Sequence, residues 1–131
     1  KDIQIIDNVI EKEQLKDIQA LMLSLHFPWF LSHTVTNADE KSKLYYFAHM
    51  FYSGHSKNSE FFNLLQPVID ILKINALVRI KGNLYPNINK KIQNDFHVDY
   101  PYDHKAAIFY VNSNNGPTVF KTGEKIDRLA I

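Results

Sequence analysis

The chain has no cysteine. Disulfide staples, thiolate zinc sites and cysteine nucleophiles are thereby excluded. It also lacks any apolar run near the ~20 residues of a helical membrane span. No signal peptide is visible, because Lys1 to Ile10 mixes isoleucine with charge. Lys1 in place of Met suggests a trimmed N-terminus. These absences together give the expectation of a cytoplasmic chain with no membrane partner. An excess of one charge is missing too: 15 basic and 14 acidic residues leave a formal net charge of +1. Such a balance argues against an extended nucleic-acid footprint, and Lys90-Lys91 reads as a solvated loop.

What is present is apolar and aromatic matter. Over 131 residues, 45% are hydrophobic and 13% aromatic, enough for a core in a single domain spanning 1–131. Ile3, Ile5 and Ile6 predict a short opening strand. Leu15, Ile18, Met22 and Leu25 recur at helical spacing and predict an amphipathic helix over 11–25. Pro28 closes it, since the residue before proline avoids helix. Strands are predicted over 29–36 and 44–52, around a polar loop at 37–43. Phe61, Leu65, Val68 and Leu72 predict a second helix over 59–73, kinked or divided at Pro67.

Short strands follow: 76–85, the segment around His97, 105–112, 118–121, and a last one beginning at Ile126. Turn formers separate them at 87–91, 112–117 and Gly123-Glu124. Helices at one end and consecutive strands after them predict an α+β fold, with the helices supporting a curled antiparallel sheet that closes as a jelly roll.

The pair His97 and Asp99 carries the most chemistry. In a strand, residues i and i+2 share a face, so imidazole and carboxylate would project side by side. They would supply two of the ligands of a 2-His-1-carboxylate iron site. Around them, Arg79, Lys81, Asn83 and Tyr85 share one face of an alternating strand, which by itself reads as a solvated edge. Ile108, Tyr110 and Asn112 share a face of the strand over 105–112.

The ordered series Asn83-Leu84-Tyr85-Pro86, His97-Val98-Asp99-Tyr100-Pro101, Ala107-Ile108-Phe109-Tyr110-Val111-Asn112, then Gly116 and Phe120, resembles the Fe(II)/2-oxoglutarate-dependent dioxygenases. Within them it is most similar to the prolyl-4-hydroxylase-like group with its small phage-encoded members. The resemblance spans roughly 79–131. It implies a double-stranded β-helix, the jelly-roll variant of that family, with supporting N-terminal helices. It implies Fe(II) held by His97 and Asp99, and 2-oxoglutarate contacted by Tyr110, with Tyr85 and Asn83 lining the pocket. The implied reaction is oxidative decarboxylation of 2-oxoglutarate to succinate and CO2, coupled to oxidation of a substrate that the sequence leaves open, as it does the oligomeric state.

The family's third ligand, a distal His, and the basic residue after it have no match here, because the sequence stops at Ile131. The expectation is a chain truncated at its C-terminus. His104 reads as an exposed loop histidine. His26, His33, His49 and His55 read as surface or hydrogen-bonded core residues. Lys105 and Lys81 are weak substitutes for the missing cation. The alternative to an enzyme is a non-catalytic jelly-roll module for binding or assembly, with Trp29, Tyr45, Tyr46 and Tyr52 as a binding surface or an exposed sheet edge pairing with a partner.

Overall fold

Glu11 opens the first helix. Its backbone N–H donates to Gln14 Oε1 at 3.1 Å, one half of a capping box. The computed structural model describes residues 3–33, 45–121 and 125–126, and helix α1 occupies Lys12–Met22. The apolar stripe buries Ile18 and Met22. The helix stops three residues short of the predicted end. Leu23 and Ser24 close it with bonds to Gln19 O and Leu21 O, both 3.0 Å, and Leu25 is fully exposed. Trp29 Nε1 donates to Met22 O at 3.0 Å, satisfying a carbonyl that the helix end leaves without an intrahelical partner.

Strand β1 (Phe30–His33) and strand β2 (Tyr45–Ser53) match the two predicted strands as far as they are described; residues 34–44, including the predicted loop, lie outside the described residues. β2 is central. Tyr52 pairs with Lys57 of β3 (Ser56–Lys57) on one edge and with Ile80 of β4 (Ile80–Leu84) on the other, both antiparallel. The β2–β3 turn places Gly54 and His55 at φ of 58° and 62°, as the two-residue hairpin turn of the right twist demands.

The second helix divides at Pro67, as its position predicts. A 3-10 turn runs over Phe62–Leu65, and helix α2 (Gln66–Leu72) starts with the proline in its first turn. There a missing N–H costs nothing. β4 is shorter than the predicted 76–85. Two further short strands, β5 (Thr118–Val119) and β6 (Lys125–Ile126), form an antiparallel pair. The predicted turn at Gly123-Glu124 and residues 127–131 of the last predicted strand lie outside the described residues.

The architecture is mixed α/β, with an antiparallel sheet that is not closed among the described residues. Three predicted strands are corrected. Ile3 to Ile6, the segment around His97, and 105–112 form no strand. Ile5, Ile6, Phe96, Val98 and Ile108 stay largely exposed. Alternation supplies strand propensity, but a strand is stabilised by a ladder partner and one buried face, and these segments have neither.

The chain divides into two compact units, Lys1–Leu31 with Phe47–Leu84, and Ser32–Tyr46 with Tyr85–Ile131. In the first, Ile18, Met22, Phe27, Phe51, Phe62 and Leu65 form the core, with His49 buried among them. Phe27 is its hub: its ring lies 4.9 Å from Trp29, 4.3 Å from His49, 5.9 Å from Phe51 and 5.4 Å from Phe61. In the second unit, Tyr46 is buried and stacks on Tyr85 at 5.3 Å.

Candidate functional site

His97 and Asp99 lie in the second unit, on an irregular segment rather than on the predicted strand. Their side chains nevertheless converge. His97 Nε2 lies 3.6 Å from Asp99 Oδ1, with the two side chains 41% and 43% exposed. The sequence arranges this locally. His97 Nδ1 stands 3.2 Å from the carbonyl oxygen of Asp95. A carbonyl can only accept, so Nδ1 carries the proton and donates it. In the neutral ring, Nε2 then holds a lone pair, and that lone pair faces a carboxylate oxygen.

Two electron-rich atoms so placed repel unless a proton or a cation sits between them. A metal ligated by histidine has this arrangement, with the far ring nitrogen donating to a backbone carbonyl and so fixing the tautomer. Ligand atoms each ~2.1 Å from one ion at adjacent octahedral positions stand about 3 Å apart. The observed separation is 3.6 Å, somewhat longer than that spacing. Neutral imidazole and carboxylate are a donor set suited to Fe(II), so the pair fits two positions of such a site. Among the described residues, no third His, Asp or Glu joins them.

The tyrosines of the same unit have defined partners. Tyr110 and Thr118 share a hydrogen bond between their hydroxyls. That bond uses one of their two hydroxyl hydrogens, so one O–H remains to donate to an acceptor such as a carboxylate. Tyr85 is about half exposed. Partial burial, and then the neighbouring Tyr46 phenol, raise its pKa above the usual tyrosine value, so its O–H remains a donor. Asn83 belongs to β4 in the first unit and its side chain is exposed. Lys81 is in β4 as well, whereas Lys105 is exposed in the second unit.

His104 repeats the local pattern of His97. Its Nδ1 lies 2.8 Å from Tyr102 O, and its ring packs edge-on against Tyr100 and Tyr102 at 5.5 and 6.0 Å. Those two tyrosines stack on each other at 5.1 Å. His26 and His55 are exposed, and His49 is a buried, hydrogen-bonded histidine of the first unit.

Sequence reasoning missed three partners: the Asp95 carbonyl, Thr118 and Tyr46. The first lies two residues before His97 and could have been sought. Nothing in the sequence pairs Tyr110 with Thr118 or Tyr85 with Tyr46. In comparisons with known proteins, the chain matches no family profile, no curated protein and no solved structure.

Proposed function

We propose that this chain belongs to an Fe(II)- and 2-oxoglutarate-dependent dioxygenase built on a double-stranded β-helix. The carrying observation is the His97–Asp99 pair, with Nε2 3.6 Å from a carboxylate oxygen and Nδ1 3.2 Å from the Asp95 carbonyl. The antiparallel pairs β2–β4 and β5–β6 are compatible with a jelly-roll variant and support the finer fold reading.

His97 Nε2 and Asp99 Oδ1 would hold the iron. When bound, iron with 2-oxoglutarate would use dioxygen for oxidative decarboxylation to succinate and CO2, coupled to hydroxylation of a substrate C–H bond. The Asp95 carbonyl keeps the His97 tautomer able to ligate. Tyr110, backed by Thr118, would donate to the distal carboxylate of 2-oxoglutarate, and the protonated phenol of Tyr85 would line the same pocket. The contribution of the chain is placement of these donors.

The test is binding of 2-oxoglutarate to the metal-loaded full-length protein, including any sequence that follows Ile131, and then succinate release. Binding should require Fe(II) or Mn(II), and both signals should vanish in His97→Ala and Asp99→Ala. A protein that takes up metal but neither binds 2-oxoglutarate nor forms succinate rules the reading out. A non-catalytic binding or assembly module is the second reading. It is favoured by Leu23, Leu25, Phe30 and Leu31, which are all largely exposed in the first unit.

A further inference from the structure

His49 and Ser59 take no part in the proposed iron chemistry, yet their geometry is the most defined polar arrangement of the first unit. His49 is 6% exposed. Its Nδ1 lies 2.8 Å from Pro28 O, and a carbonyl can only accept, so Nδ1 carries the proton. The Nε2 lone pair of the neutral ring therefore points outward to Ser59 Oγ at 2.7 Å, which must donate its hydroxyl proton. Ser59 Oγ in turn accepts from the Phe61 N–H at 3.1 Å.

A hydroxyl directed onto an imidazole whose far nitrogen is fixed by an acceptor is the arrangement of an activated serine nucleophile. Here the Pro28 carbonyl takes the orienting place that a carboxylate holds in other such sites. Ser59 is only half-buried, at the entry to the 3-10 turn, while its base is shielded by aromatic rings. Phe27, Phe51 and Phe61 stand 4.3, 4.6 and 6.2 Å from the His49 ring.

We infer that Ser59 is a nucleophile with His49 as its general base, forming a site for esters of small apolar acids. Ser59 Oγ bonds to the ester carbonyl carbon as its proton passes to His49 Nε2. The bond to the leaving alcohol breaks, and Nε2 returns the proton to that alcohol. Water then adds to the acyl-serine, with its proton taken by Nε2, and Ser59 leaves with that proton restored. The balance is ester plus water to acid plus alcohol. The Phe61 N–H, which donates to Ser59 Oγ, holds the hydroxyl oxygen in place beside His49.

The test uses a short-chain alkyl fluorophosphonate on the unaltered protein. Ser59 Oγ would displace fluoride, and the adduct is located by peptide mass mapping. Ser59 should react ~100-fold faster than the exposed Ser56 of the same unit, within the range that a positioned base contributes. Urea unfolding should abolish the difference. His49→Gln and Ser59→Ala should each lose the adduct and any turnover of p-nitrophenyl acetate. Absence of an adduct on Ser59 in the folded protein, or a rate equal to that of Ser56, overturns the proposal. Because mapping is done on the native sequence, the outcome does not depend on whether either variant folds.

Discussion

Gly82 faces His49 across the β2–β4 ladder, and the Cβ it lacks leaves room for the core. A Cβ there would meet Met22 Cε and Phe51 Cε2 at 3.3 Å and Trp29 Cη2 at 3.4 Å. The Met22 methyl can swing away. Phe51 is 1% exposed and packs on both Phe27 and His49, so its ring cannot yield. Overpacking of this kind costs about 1–3 kcal/mol, against a gain of about 0.4–1 kcal/mol from the stiffer unfolded chain. Gly82→Ala is expected to lose about 1 kcal/mol net, and Gly82→Val more, read as a lower urea midpoint.

Four residues with side chains hold left-handed backbone conformations, Asn8, His55, Lys73 and Asn89; asparagine tolerates this region, whereas His55 and Lys73 do so less readily. His55 has φ 62° in the β2–β3 turn, and Lys73 has φ 47° at the end of α2. A left-handed conformation costs a residue with Cβ about 1–2 kcal/mol, part of which glycine returns as unfolded-chain entropy. His55→Gly and Lys73→Gly are each expected to stabilise by about 0.5 kcal/mol, with additive effects on the denaturation midpoint.

Tyr85 should titrate above free tyrosine in a spectrophotometric phenolate titration. Burial is the larger cause and the Tyr46 phenol the smaller. Tyr46→Phe should therefore bring the Tyr85 titration part of the way back. Folding favours the protonated form, so the associated stability is complete below the unfolded value of 10.0. It is lost as pH rises through the higher folded value, and thermal midpoints should fall across that alkaline window.

Heteronuclear NMR should find both His49 and His97 in the Nδ1–H tautomer, because each donates to a carbonyl, Pro28 O at 2.8 Å and Asp95 O at 3.2 Å respectively. The free imidazole prefers its proton on Nε2. An Nε2–H tautomer at His97 would remove the support for metal ligation.

The fold was legible where local chemistry decided it. The aromatic-rich run became β2 and Pro67 divided the second helix, whereas the hairpin into β3 at Gly54-His55 was not foreseen. It failed where a partner decided. The alternation at Phe96, Val98 and Ile108 matches that of a true strand, yet these residues remain exposed outside any ladder. The candidate site shows the same split. His97 and Asp99 meet as near neighbours in sequence, with Nε2 3.6 Å from Oδ1, although they are in no strand. The Tyr110–Thr118 bond depends on a chain reversal that composition does not specify.

Trp29 is the chain's one tryptophan, bonded to Met22 O and lying beside Phe27 and Gly82 in the first unit. Its fluorescence is therefore a private reporter of the α1–β2–β4 packing. The second unit carries tyrosines alone, among them Tyr46, Tyr85, Tyr100, Tyr102 and Tyr110. Tyr52 adds a tyrosine to the first unit, so tryptophan emission follows the first unit alone and tyrosine absorbance follows mainly the second. Coincidence of the two melting curves would define the chain as one cooperative body.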